Sequence, residues 1–194
     1  LVQMNYTEIA PIQYDLSFGS LIPTLGVITL NTLEVDNQKA VTYGDGNSML
    51  YYTILHEMGH TLGIGTLWQA MGDQVYGLQF DTGTFFYALN YSGANITTNY
   101  NNAIREYRNY FGDSKYFIPL EDDGGDGTAL VHVEEGRETG ASTNTRSILG
   151  IIYPGLDQEL MTGWADSKQY GQDYIPYILP ISNVTLGFLE DIGY

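Results

Sequence analysis

Two histidines four residues apart, with a glutamate directly after the first, form His56-Glu57-Met58-Gly59-His60, and Gly63 follows in the stretch YYTILHEMGHTLGIGTLW. On a helix, residues four apart share a face and lie one turn from each other, so His56 and His60 can aim imidazole nitrogens at one ion. A tetrahedral zinc asks this of two of its ligands. Glu57 projects about 100° around the helix from His56, beside such an ion rather than onto it. There it can take a proton from a metal-activated water, so the pattern combines a Lewis acid with a general base.

A catalytic zinc site needs a third protein ligand. The longer form of the motif places a histidine at position 66, where this chain has Thr66. The chain has three histidines and no cysteine, so His132, in TALVHVEEG, is the natural candidate. Asp73, Asp126 and Glu134 are alternatives, because open zinc sites accept either His or carboxylate as third ligand.

The elements that must position these groups can be read in outline. Met49, Tyr52, Leu55, His56 and Leu62 recur at helical spacing after a GDGNS turn that offers Asn47 or Ser48 as N-cap, and Gly63 and Gly65 stop the helix. Before it, residues 1–45 read as strands and turns, with IQYDLSFG (12–19) and GVITLN (26–31) as the strand candidates and no useful helical period. A scaffold helix is expected at about 99–111, where Tyr100, Ala103, Ile104, Tyr107 and Phe111 fall on one face and Gly112 follows as cap. Residues 136–150 are polar with little periodicity, and SNVTLGFLEDIGY closes the chain as a short helix capped by Ser182 or Asn183 and ended by Gly193.

Composition narrows the partners. The chain has 194 residues, 43% of them hydrophobic, which suits one domain with its own core. Seven Lys+Arg against 23 Asp+Glu give a formal charge of −16, which disfavours nucleic acid and anionic lipid surfaces. No apolar run is long enough to span a bilayer. Without cysteine there is no disulfide, thiolate ligand or cysteine nucleophile, so any metal is held by His, Asp or Glu.

HEMGHTLGIG with a displaced third histidine, followed by ELMTGW at 159–164, resembles the metzincin zinc peptidases, and within them the leishmanolysin type. GTLW after the helix, YSGAN at 91–95, PLEDDGGDGTA before His132 and the ending VTLGFLEDIGY are similar to stretches of small bacterial-type members. The resemblance implies an α+β zincin fold with a twisted sheet and the motif helix. Over 1–194 it implies a single metallopeptidase domain: an N-terminal part at 1–63, an insertion at 64–131 that displaces the third ligand, and a mainly helical or irregular C-terminal part at 132–194. It further implies that His56, His60 and His132 bind one catalytic zinc, that Glu57 is the base, that Met161 is the methionine beneath the site, and that Gly63 lets the chain fold back toward the ion. Two departures stand out: Val133 replaces the tryptophan common after the third histidine, and the disulfides of larger members cannot form.

The expected function is therefore a zinc endopeptidase acting on peptide or protein substrates, in an extracellular or surface-associated setting, with no nucleic-acid partner and no membrane insertion. The rivals are a non-catalytic surface or virion binding module with structural zinc, and a hydrolase of another amide or ester. Asp122, Asp123 and Asp126 form an acidic loop that could take Ca²⁺, although a solvated loop is the plainer reading. The sequons at Asn5, Asn90, Asn95 and Asn183 arise readily in an Asn- and Thr-rich chain. Of the 17 tyrosines, Tyr153 is one candidate for oxyanion stabilisation.

Overall fold

Ser48 starts the helix that carries the histidines: its backbone is extended and its hydroxyl accepts the Tyr51 N–H, satisfying one of the orphan donors of the first turn. In a computed structural model of the chain, which describes residues 2–3, 13–14, 22–67, 75–79, 85–89, 102–115, 118–121, 127–129, 131–135, 145–148, 150–165 and 178–194, this helix runs Met49–Thr61. In chain order the elements are β1 (Val2–Gln3), β2 (Gln13–Tyr14), β3 (Pro23–Leu25), α1 (Val35–Ala40), α2 (Met49–Thr61), β4 (Val75–Gln79), β5 (Phe85–Leu89), α3 (Asn102–Phe111), β6 (Ile118–Pro119), β7 (Thr145–Ile148), β8 (Ile151–Pro154), β9 (Trp164–Ala165) and α4 (Asn183–Ile192).

The fold mixes helix and strand, but the described strands do not join into one twisted sheet. They form antiparallel pairs β1–β9, β2–β3 and β7–β8 and one three-stranded sheet β4–β5–β6. Several strands are only two or three residues long, and Pro23, Pro119 and Pro154 remove ladder donors where a strand would otherwise extend.

Three local expectations are corrected. Residues 26–31 are not a strand: β-pairing falls to Pro23–Leu25, and the chain then passes α2 so closely that a Cβ on Gly26 would lie 2.4 Å from Thr61 Cβ. Residues 35–40 form α1, six residues long and burying only Gln38, too short to show an amphipathic period. The weakly periodic stretch before residue 150 holds β7, paired with β8 across a turn in which Gly150 has φ +79°.

The expected helices at the two other positions form. Gly112, with φ +105°, follows α3, and Gly193, with φ +117°, ends α4 with its N–H on Leu189 and Glu190 carbonyls. α3 packs against α4 at a place where a Cβ on Gly187 would lie 2.6 Å from the Ala103 backbone. One turn further on, buried Asp191 caps α3 from outside: its two carboxylate oxygens accept the N–H groups of Asn102 at 2.9 Å and Ala103 at 3.1 Å. No described helix is long and apolar enough to cross a membrane.

Asp191→Asn would turn an amide donor toward one of these two N–H groups. It should lower folding stability by about 1–3 kcal/mol, measured by urea unfolding, because a buried donor loses its acceptor. An unchanged denaturation midpoint would mean that the cap contributes nothing.

Candidate metal centre

Helical spacing brings His56 and His60 to one face of α2 with their Nε2 atoms 2.9 Å apart. His132 arrives from the opposite side. Its Nε2 lies 3.0 Å from that of His56 and 2.9 Å from that of His60, and all three side chains are buried. Among the described residues this is the one His/Asp/Glu group close enough to hold a metal ion. Glu134 is buried but lies outside that group, while Asp73 and the Asp122, Asp123 and Asp126 loop fall outside the described residues.

Hydrogen bonds at the far side of each ring decide what the near side offers. Nδ1 of His56 meets the Leu160 carbonyl at 2.6 Å, Nδ1 of His60 the Ile64 carbonyl at 2.9 Å, and Nδ1 of His132 the Thr128 carbonyl at 2.7 Å. A carbonyl only accepts, so each neutral ring must carry its proton on Nδ1. All three Nε2 atoms then present lone pairs to one another with no proton among them.

Protonation does not relieve the conflict near neutrality. Burial holds the His56 imidazole down at about 3 and the His60 imidazole at about 4, and places that of His132 well below the ordinary range. A metal cation would satisfy all three converging lone pairs at once, and the three rings lie close enough together to hold one. Zinc–nitrogen bonds of about 2.0–2.1 Å at tetrahedral angles set ligand nitrogens roughly 3.3–3.4 Å apart. The triangle of 2.9–3.0 Å is tighter by a few tenths of an ångström, which small ring rotations can supply.

His132 is delivered by two devices. Residues 119–121 and 132–134 run antiparallel beyond β6, with Glu121 N–H on the His132 carbonyl at 3.1 Å and Glu134 N–H on the Pro119 carbonyl at 2.9 Å. Val133 bridges Leu120 on one side and Thr162 on the other and is 1% exposed, so the residue after His132 belongs to the core. The second device is the turn after α2. Gly63 has φ +111° and Gly65 φ +74°, and a Cβ on Gly65 would lie 2.0 Å from the Val131 carbonyl oxygen. Only glycine lets this turn touch the backbone beside His132.

Met161 lies against α2 between the two ligand turns: a Cβ on Gly59 would meet its Sδ at 2.4 Å. Gly163, two residues on, accommodates the His132 segment, since a Cβ there would lie 2.6 Å from Thr128 Cγ2 and 3.6 Å from His132 Cγ. Glu57 stays out of the metal-capable group, and burial lifts its carboxyl to about 7. Tyr153 is 1% exposed, with the Lys115 ammonium 5.9 Å from its ring centroid, which is a packing position. Of the sequons, Asn183 is the exposed first residue of α4, and Asn5, Asn90 and Asn95 lie outside the described residues.

Gly65 was legible in the sequence as a helix stop, but its close approach to Val131, the tight spaces at Gly59 and Gly163, and the three backbone carbonyls that select the tautomers were not. The spacing of GIG after the helix was a signal for Gly65; the carbonyls have no signal, because every residue has one.

Gly65→Ala should cost more than Gly112→Ala. Both incur left-handed strain of about 1–2 kcal/mol, but a Cβ at Gly112 meets nothing within 4 Å, whereas at Gly65 it strikes backbone. Thermal unfolding should rank them so, and metal affinity should fall only in Gly65→Ala.

The pH dependence follows from the lowered imidazole values. With folded values of about 3 and 4 under the ordinary 6.5, the unfolded chain takes up protons first as pH falls below 6.5, so these groups withdraw folding stability there. In the folded chain burial keeps the His56 and His60 rings neutral until the pH nears the higher of the two values, about 4. This moves the window below the ordinary histidine range, where imidazole–metal sites are expected to fail. Ion release followed with a chromophoric chelator should track circular dichroism or occur below about pH 4; release centred near 6.5 in a folded protein would contradict the burial.

No family model, curated protein or solved structure matches the chain, so the chemistry of the site is read from its own residues.

Proposed function

We propose that this chain is a zinc-dependent endopeptidase of the leishmanolysin-like metzincin type, with His56, His60 and His132 as ligands and Glu57 as general base. The observation that carries the reading is the convergence of three buried Nε2 lone pairs, each ring locked by a carbonyl, on a helix that also bears Glu57. The zincin architecture, the insertion at 64–131, the role of Met161 as apolar support beneath the imidazoles and the role of Gly63 as the fold-back turn belong to the same proposal.

Three neutral imidazoles leave the full charge of the ion undiminished. When bound, zinc supplies Lewis acidity, polarising a peptide carbonyl and bringing the pKa of a water to about 7. The chain supplies the rest. Its helix and ladder fix the three donors, and the buried Glu57 carboxylate takes a proton from the attacking water and returns it to the leaving amine. A value of about 7 suits a group that must do both near neutrality, and a cation beside it would favour the ionised, base form.

Protein purified without added metal should contain about one zinc per chain by mass spectrometry, and His132→Ala much less, since a catalytic site with two protein ligands is incomplete. Glu57→Gln should keep the zinc and cleave a peptide library about 10²–10⁴-fold more slowly. Full zinc in His132→Ala would remove the third ligand from the proposal. Undiminished cleavage by Glu57→Gln would remove the base, and a wild type that binds zinc without cleaving any peptide would favour the binding module.

A further inference from the structure

Glu159 is a carboxylate that the proposed mechanism does not use, yet it is 4% exposed and takes four hydrogen bonds. One oxygen accepts the Ser182 N–H at 2.9 Å, the Ser182 hydroxyl at 3.1 Å and the Thr185 hydroxyl at 2.5 Å. The other accepts the Met161 N–H at 2.5 Å. These four partners are all donors, an arrangement that suits the ionised carboxylate.

The Met161 N–H belongs to the same peptide group as the Leu160 carbonyl, and that carbonyl is the acceptor for His56 Nδ1–H at 2.6 Å. A continuous chain therefore runs from the Glu159 carboxylate through one peptide unit to a ligand imidazole. Negative charge at the N–H end of an amide polarises it and strengthens its oxygen as an acceptor, because hydrogen bonds in series reinforce each other in a buried setting. A stronger acceptor on Nδ1–H makes Nε2 a better donor to a metal and fixes the ring's orientation. The same carboxylate ties this peptide to the N-cap of α4, and Leu160 N–H on the Pro180 carbonyl at 2.9 Å holds its other neighbour.

We propose that Glu159 is a positioning residue for the metal centre, acting through the Leu160–Met161 peptide to orient His56 and raise its donor strength. The inference rests on the reading of the three histidines as metal ligands. His60 and His132 have their Nδ1 acceptors on other peptide groups, the Ile64 and Thr128 carbonyls, which Glu159 does not touch in any of its four hydrogen bonds.

The test titrates zinc into the full chain against a chromophoric chelator, for wild type, Glu159→Gln, Thr185→Val and Asp191→Asn, at a temperature where circular dichroism shows each folded. In parallel, the Nδ1–H resonances of the three histidines are followed by NMR in the metal-free protein. Glu159→Gln should weaken zinc about 10–100-fold, the range for lost outer-shell partners, and should move the His56 resonance while leaving those of His60 and His132 in place. Thr185→Val should act more weakly in the same direction, and it decides the matter if Glu159→Gln does not fold. Asp191→Asn, which removes a buried carboxylate contact elsewhere on α4, should lower Tm without changing zinc affinity.

Glu159 and Thr185 variants that lower Tm as Asp191→Asn does, while zinc affinity and the His56 resonance stay unchanged, would reduce Glu159 to a fold anchor and overturn the proposal. Equal movement of all three histidines would do the same. A wild type that takes up no zinc, but whose His56 resonance alone still responds to Glu159→Gln, would overturn the metal reading, and the inference with it, while showing that the hydrogen-bond chain from Glu159 to His56 exists.

Discussion

Three lone pairs brought within 3.0 Å of one another inside a protein repel unless something positive lies among them, and much of this structure serves to bring them there. The repulsion exists because each ring is committed at its other end. Leu160, Ile64 and Thr128 each present a carbonyl to an Nδ1, and a carbonyl accepts only N–H. If any one of these acceptors were replaced by a donor, that ring would change tautomer and place a proton in the centre. Backbone oxygens are thus as necessary to the donor set as the histidines, and burial completes the condition by keeping the rings neutral.

Bringing three chain segments so close leaves no room for a side chain at three points, and glycine stands at each, facing backbone at Gly65 and neighbouring side chains at Gly59 and Gly163. Gly59 admits the Met161 thioether between the ligand turns of α2, Gly65 admits the Val131 carbonyl beside His132, and Gly163 admits the Thr128 and His132 segment. At Gly65 an added Cβ would strike the Val131 carbonyl oxygen at 2.0 Å, so a side chain there would push the turn after α2 away from the segment that carries His132. At Gly59 the exchange is unusual, since glycine inside a helix costs about 1 kcal/mol relative to alanine. Here glycine leaves room for the Met161 thioether, whose sulfur would lie 2.4 Å from a Cβ at this position.

Two buried carboxylates make hydrogen bonds at α4 and are used differently. Asp191, on α4, reaches out to cap α3, and its effect is confined to the packing of two scaffold helices. Glu159, from the Met161 loop, reaches in to the N-cap of α4 and fixes the peptide that faces His56. Burial lifts both carboxyls, and the donors around each pull in the other direction, so the hydrogen bonds are what make these sites tolerable to a charge. One side chain thereby joins the N-cap of α4 to the peptide whose carbonyl meets His56.

The i, i+4 histidines and the start of their helix were legible without coordinates, because helical periodicity and an N-cap serine are local, short-range signals. The short closing helix and the helix before Gly112 were legible for the same reason. His132 stood out through scarcity, being the remaining histidine in a chain without cysteine. Position along the chain said nothing about whether it, or a carboxylate such as Glu134, would reach α2. That was decided by the ladder joining 119–121 to 132–134 and by the close pass of Gly65, both long-range pairings. The pairing of β1 with β9 was likewise set by neighbours distant in sequence, whereas α1 and the β7–β8 hairpin are local but too short to show a period. Residue types determined which chemistry is possible here; only the tertiary structure decided which nitrogens carry protons, because that depends on carbonyls that every residue possesses and that folding alone aims.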